Sequence, residues 1–360
     1  MATPQEICTV TAAGIKYNNW ETIEVRRAVH PYTIDHCMLT VSEVSTVNAG
    51  GLSALKLAPG DTATVTLGGI KVMDGYVYLR QAAYDANTHA VQIGICSRAQ
   101  AIMRTSVDGA PGQYIQQTIQ QIGSACFGKV GVNFKVIGNP PGADMIFDRI
   151  SEAIGQTRFS FIENLCRLTN LHMIDDGNGG INAFRGPQGH VAPLQEGGNI
   201  LKARLLLSAD EYVADIAGLS QTPRRGAPGA QQKATAKVNN PVGANLGGNF
   251  SFPAENAATK IALQMRVNHQ VDYVNFKTVD GAVTVQGWFL ANGDLWMNHV
   301  NNTVTVNSPM LIPGNTGRFI IKEIVHRQSS VEGTTTDIML TNENGLGQEP
   351  LHGVNPKPDQ

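Results

Sequence analysis

Apolar and polar residues alternate along much of the chain, most clearly over residues 60–102. Val65 and Leu67 share one face of the segment 62–67, and Val91, Ile93 and Ile95 share one face of 89–96, because side chains in a strand repeat every two residues. Between these segments lie Gly68-Gly69, the short run 70–73, the dipeptide Asp74-Gly75, the run 76–81 and the loop 84–88. Asp-Gly favours a tight hairpin turn. The pattern therefore predicts a four-stranded antiparallel meander. It returns near the end, where 319–327 and 335–340 flank a Gly-containing turn. The two hairpins share the order strand, polar loop, strand. Duplication of one small β domain explains this, although any two hairpins show some such likeness.

The rest of the chain reads as follows. Strands are expected at 7–12, 17–29 (Ile23 and Val25 inward) and 35–44, with a loop at 49–51. Together with 60–102 they make a first β-barrel over 1–105. A small α/β module spans 106–190. It comprises a helix over 113–127, a strand at 132–137, a second helix over 159–169 and a hairpin of 170–174 with 180–184. Tyr114, Ile115, Ile119, Ile122 and Ala125 recur near helical spacing. Thr157 suits the N-cap of the second helix, since its hydroxyl can accept from an orphan amide of the first turn. A second β-barrel takes 191–235 and 276–345. A loop and helix insertion takes 236–275, its helix read over 255–273. Residues 221–249 read as one long loop, and 346–360 as a polar tail.

Composition fits this outline. Only 16% of residues are charged, and 38 are glycine, the profile of a turn-rich β protein. The length allows two or three domains. A net charge of −2 gives no global field for sequence-independent binding of nucleic acid. No apolar run reaches the roughly 18 residues of a membrane helix, and no stable membrane insertion is expected. No secretory signal is visible at the N-terminus. Cys8, Cys37, Cys96, Cys126 and Cys166 are scattered, without a CxxC pair, and read as reduced and mostly buried.

Catalytic signatures are absent: there is no phosphate-binding GxxxxGK[ST], no GxSxG and no HExxH. No catalytic, cofactor-binding or metal residue is assigned, and no cofactor is expected. The run Asp175-Asp176-Gly177-Asn178-Gly179 resembles an oxygen-rich calcium loop. Its twelfth position is Gly186 instead of a carboxylate, so a hairpin turn is the better reading. His30, His36 and Cys37 fit no standard metal spacing. Asp210, Glu211 and Asp215 read as a solvated turn. Arg224 and Arg225 read as a solvated pair that an acidic partner could engage. Trp288 and Trp296 flank a short turn and read as packing across a hairpin, with a sugar-stacking platform as the alternative.

Four stretches taken in order carry a family resemblance. They are the early strand at 20–27, the segment 59–98, the helix and hairpin of 155–184, and 281–341 with its GWFLANGDLW and TVTVNSP runs. In this order the chain resembles the baseplate hub proteins of contractile phage tails, most closely the Mu-like hub or late-control D-like tail proteins. The resemblance implies a mainly β fold with an α+β insert, built as two similar antiparallel β-barrels plus the small module. It implies a homotrimer whose six barrels form a pseudo-sixfold ring, adapting the hexameric tail tube to a trimeric central spike. It further implies contacts with baseplate wedge and tape-measure proteins, and DNA passing through the channel only in transit. The protein would be a non-enzymatic part of the virion tail, made in the host cytoplasm. Alternatives are the spike base of a type VI or other contractile injection system, a cell-wall-acting enzyme, or a carbohydrate-binding module.

Overall fold

The computed structural model describes residues 6–29, 33–42, 56–84, 89–106, 112–224, 227–238, 247–254 and 259–346. The expected loops at 49–51 and 85–88 lie outside these residues, as does most of the polar tail.

The N-terminal β unit contains β1 (Cys8–Ala12), β2 (Ile15–Tyr17), β3 (Thr22–Ala28), β4 (His36–Ser42), β5 (Thr62–Leu67), β6 (Ile70–Tyr84) and β7 (His89–Ser97). Alternation sets the inward face: Val10, Val25, Leu39, Val65 and Ile93 are all buried in one cluster. The meander read over 60–102 holds, with one correction. Asp74-Gly75 is not a turn, because β6 runs straight through it. Gly75 lies opposite Ser97, and a Cβ there would stand 1.9 Å from the Cys96 carbonyl oxygen. Glycine is required here by a crossing backbone.

The middle of the chain contains α1 (Ala101–Arg104), β8 (Gln113–Thr118), α2 (Ile119–Gly128), β9 (Phe134–Val136), β10 (Ile146–Ser151), α3 (Arg158–Thr169), β11 (His172–Asp175) and β12 (Ile181–Phe184). The helix read over 113–127 is half strand. Residues 113–118 pair with β10, which the pattern missed, and the helix begins after Thr118. A reciprocal capping box marks the switch: Thr118 N donates to Gln121 Oε1 (2.9 Å) and Gln121 N to Thr118 Oγ1 (3.5 Å). Thr157 caps α3 as expected, its hydroxyl accepting from Ser160 N at 3.2 Å.

The remaining elements are β13 (His190–Gln195), β14 (Ile200–Leu207), β15 (Asp215–Arg224), β16 (Ala227–Lys237), β17 (Asn249–Pro253), α4 (Lys260–Lys277), β18 (Val279–Gln286), β19 (Thr303–Asn307), β20 (Thr316–Ser329) and β21 (Gly333–Asn342). The long loop read over 221–249 is largely the hairpin of β15 and β16. These two strands do not join β18–β21. They form a sheet with β17, and Ile216, Ala234 and Phe252 pack on α4 and the middle module in one core with Ile119, Phe159 and Leu263.

Among the described residues, the strands of both β units form one 13-stranded sheet in open order, so neither unit closes as a separate barrel. Within it, one strand order occurs twice. The first unit runs β1-β5-β6-β7-β4-β3 and the second β13-β19-β20-β21-β18-β14. Ranked by position in the chain, the two orders are identical. They differ in one pairing: β1 is antiparallel to β5, whereas β13 is parallel to β19. The long fifth strand carries a bulge in each, between Val77 and Leu79 in β6 and between Ile321 and Glu323 in β20. Pairing with the fourth strand ends at Tyr76 in one and Ile320 in the other, two residues before the bulged Tyr78 and Lys322.

Gly75→Ala should lower the unfolding free energy by about 3 kcal/mol, because no flexible side chain can yield to the new methyl. Gly128→Ala, helical and open, should raise it by about 0.5–1 kcal/mol. Urea denaturation of the two variants checks both signs.

Candidate functional site: the seam between the two β units

β20 belongs to both units. Residues 316–320 pair with β19, and residues 323–329 pair with β3 of the first unit. The bulge at Lys322 separates the two halves, and a bulge bends and twists the strand that carries it. The Lys322 carbonyl accepts from Val29 N at 2.8 Å, and its ammonium donates to Asp280 Oδ1 at 2.7 Å. The same ammonium lies 5.0 Å from the centre of the Phe276 ring.

Complementary charges cross the seam. Arg26 pairs with Glu323, and Arg327 pairs with Glu24. Arg327 Nε also donates to Asp337 Oδ2 at 2.9 Å. These pairs are partly exposed and each is worth little on its own. Their value is in register, since a one-residue slip would turn every side chain to the wrong face. The alternating charges of Glu24, Arg26, Glu323 and Arg327 were the sequence signal for this pairing, and reading each hairpin by itself overlooked it.

The connection from β18 to β19 fastens the seam on its inner side. Trp288 is buried in the core of the first unit, whereas Trp296 is buried in the core of the second. Trp288 Nε1 donates to the Arg327 carbonyl at 3.1 Å, and Trp296 N donates to the Trp288 carbonyl at 3.0 Å. Neither indole offers a face to a sugar. Packing across a turn was expected; the finding is that the two rings enter different cores. Beside them, Thr336 Oγ1 donates to the Gly287 carbonyl (2.6 Å), which leaves it accepting from His326 Nδ1 at 2.8 Å. Burial holds His326 down at about 3, so it packs as a neutral ring.

The turn at 175–179 docks the middle module onto the first unit. As in an ordinary Asx turn, Asp175 Oδ1 accepts from Gly177 N and Asp176 Oδ1 from Asn178 N and Gly180 N, at 2.7–2.8 Å. One oxygen of each carboxylate is thus taken by the turn's own backbone. Asp175 Oδ2 accepts from Asp35 N (3.4 Å), and Asp74 N donates to the Gly177 carbonyl (3.1 Å). Gly177 has φ of +74°, and a Cβ on it would meet Arg27 Nη2 at 2.3 Å. Arg27 grips Asp35 through Nε (2.9 Å) and Nη2 (2.6 Å) and reaches the Val72 carbonyl at 2.8 Å. Burial pushes the Asp35 carboxyl up to about 8, against the pull of Arg27 and with the push of Asp175. Burial raises Asp175 too.

A second polar cluster lies between α3, β11 and α4. His172 and His269 stack with ring centres 5.1 Å apart. Burial holds His172 at about 3, and burial with the neighbouring His172 lowers His269. Asn170, in the left-handed region at φ 53°, links Asp272 Oδ2 and Arg185 Nη2, each at 3.1 Å, and burial pushes Asp272 up to about 7.

The other candidates do not converge on a site. His36 and Cys37 point to opposite faces of β4, and His36 Nδ1 meets the Ile34 carbonyl at 2.8 Å. His30 and Arg225 lie outside the described residues, and Arg224 falls at the end of β15. Asp210, Glu211 and Asp215 are exposed. The five cysteines are free and buried, and burial raises the thiols of Cys96, Cys126 and Cys166. Among the described residues no group of three His, Cys, Asp or Glu side chains could hold a metal, and no helix is long and apolar enough to cross a membrane.

The arrangement defines a β scaffold that joins repeated units. Residues 7–94 match the family described as Mu phage baseplate assembly protein GpP-like, N-terminal. The sequence resemblance to Mu-like baseplate proteins is thereby borne out. Comparison with curated protein sequences returns no match. Among solved structures, the fold is similar to the 43 kDa tail protein of prophage MuSo2 from Shewanella oneidensis, with TM-score 0.80, 20% identity, and 94% of this chain and 99% of that one covered. It is similar to a tail protein from Neisseria meningitidis MC58, with TM-score 0.75, 15% identity, and 93% and 96% covered. It is also similar to an E. coli component of the type VI secretion system, with TM-score 0.56, 8% identity, and 95% and 80% covered.

Trp288→Ala should cost about 3–5 kcal/mol and lower the melting of both β units together, read by calorimetry as one transition moved down. Arg27→Ala should cost about 2 kcal/mol by leaving the buried Asp35 carboxyl and the Val72 carbonyl without their donor. The folded chain holds a proton on Asp35 that the unfolded chain releases. That contribution is complete below the ordinary carboxyl range and is lost as pH rises through about 8. Asp272 adds to the same trend through about 7. Melting temperature should therefore fall from about pH 4 to about pH 8 and level off above that, and Asp35→Asn should flatten the fall.

Proposed function

We propose that the chain is the structural hub of a contractile-tail baseplate, acting as a homotrimer between a hexameric tail tube and a trimeric central spike. The observation that carries this reading is the strand order used twice in one chain. Three copies then present six similar β units, so one molecule can match sixfold symmetry on one side and threefold symmetry on the other. The GpP-like match over 7–94 and the fold shared with the MuSo2 prophage tail protein and a Neisseria tail protein support the setting.

In this reading the mechanism is geometric, not catalytic. Flat faces of the ring stack on the tube, the spike and the wedge proteins, and the tape-measure protein and DNA pass along the axis. The chain is then a virion component synthesised in the host cytoplasm. The spike base of a type VI or related injection system is the second reading, favoured by the fold shared with the E. coli secretion component. The genes beside this one separate the two machines.

Light scattering of the purified protein, alone and with its spike, tests the proposal. A particle of three times 38.5 kDa, at least with the spike, is the expected result. A stable dimer under both conditions would contradict it.

A further inference from the structure

The sequence contains three Asn-Gly dipeptides, Asn178-Gly179, Asn292-Gly293 and Asn344-Gly345. In such a pair the main-chain nitrogen after asparagine can attack the side-chain amide carbon, since glycine has no Cβ to hinder the approach. The reaction needs an exposed carboxamide and an amide nitrogen that no acceptor holds. All three asparagines are exposed, so the amide decides between them. Gly293 N donates to the Leu290 carbonyl at 2.8 Å, and Gly345 N donates to the Asn342 carbonyl at 3.0 Å. Asn292 is tied as well, its Oδ1 accepting from Asp294 N at 3.0 Å. Gly179 N has no acceptor among the described residues, although the amides on both sides of it do. Asn178 N and Gly180 N each donate to Asp176 Oδ1.

The place of Asn178 gives the reaction a consequence, because its turn docks the middle module. The loop 176–180 is closed by Asp176 N donating to the Gly180 carbonyl at 3.0 Å and by Gly180 N donating to Asp176 Oδ1 at 2.8 Å. Its Gly177 carbonyl and the neighbouring Asp175 carboxylate hold the Asp74 and Asp35 amides of the first unit. Gly179 has φ of +84°, and a Cβ on it would stand 2.8 Å from Arg98 Cβ. The fold therefore needs glycine at 179, and with it keeps the dipeptide that the reaction requires.

We infer that Asn178 is a site of spontaneous deamidation, through a cyclic imide formed with the Gly179 main-chain nitrogen. Gly179 N bonds to Asn178 Cγ, the Cγ–Nδ2 bond breaks, and the amide proton leaves with Nδ2 as ammonia. Water then opens the ring at either carbonyl. Attack at Cγ gives an ordinary aspartate. Attack at the main-chain carbonyl leaves the chain linked through the side chain, as a β-aspartate. In sum one water enters, one ammonia leaves and nothing is oxidised or reduced. The β-linked product lengthens the main chain of the loop by one carbon, and the loop 176–180 cannot then keep both of its closing bonds. Deamidation thereby loosens the dock of the middle module on the first unit as the protein ages.

The test incubates the full-length wild type and Asn178→Gln in mildly alkaline buffer for several weeks. Glutamine keeps the exposed carboxamide but must close a larger ring, which forms far more slowly. Peptide mapping by mass spectrometry, with the two aspartate products separated by chromatography, follows all three dipeptides. The wild type held in urea supplies their rates in the unfolded chain, which should be similar. In the folded protein Asn178 should react at least about fivefold faster than Asn292 or Asn344, the factor that one hydrogen bond on the attacking amide is worth. Hydrogen exchange on the aged protein is the second measurement. The Asp35 and Asp74 amides should lose protection in the wild type and keep it in Asn178→Gln. Equal rates at the three dipeptides of the folded protein, or no product at Asn178 while the unfolded chain reacts there, overturns the site. Deamidated protein in which Asp35 and Asp74 stay protected overturns the loosening of the dock.

Discussion

One strand serves two β units, and the rest of the architecture depends on that sharing. β20 enters as the partner of β19 and leaves as the partner of β3, with the Lys322 bulge between. A regular strand would keep one neighbour along its edge. The bulge re-aims the second half, so the two β units meet through main-chain hydrogen bonds and not through a linker. Hydrogen bonds of a ladder are directional and recur in a fixed pattern, and they set the angle between the units more tightly than apolar contact would. Trp288 and Trp296 then fill the space behind the ladder from a single loop, one ring to each core.

The middle module is held by different means. Its turn at 175–179 sets Asp175 on the Asp35 main-chain amide, beside the buried Arg27–Asp35 pair, and tolerates no side chain at Gly177. Buried charge of this kind is costly unless paired, so it contributes specificity more than stability. The module also reaches the second unit, where Ile174 and Phe184 lie in the core with Trp296. The β units, by contrast, are joined by a continuous sheet across the seam.

Much of this was legible in the sequence where side-chain period and structural period agree. The meander of 60–102, the cap at Thr157, the turn at 175–179 and the final hairpin follow from alternation and local capping chemistry. The errors share one cause: a local signal answered to a distant neighbour. Asp74-Gly75 has turn chemistry, but Gly75 serves the backbone at Cys96. The 113–118 segment carries helical spacing, but it pairs with β10 and yields to a helix only at the Thr118 cap. Residues 221–237 have little periodicity because the described part of that hairpin mixes small and polar side chains. The seam itself was written in charges on strands nearly 300 residues apart, beyond what single hairpins can reveal. Repetition was visible as a likeness of two hairpins; that the likeness extends to six strands and to the bulge required the fold.

The central claim is that one arrangement of strands is used twice in the chain and joined within it through β20. Electron cryomicroscopy of the protein tests this most directly. The two six-strand orders should superpose through their bulges at Tyr78 and Lys322, with β3 hydrogen-bonded to the second half of β20. Units that do not superpose, or that meet through loops with β3 and β20 apart, would contradict the account.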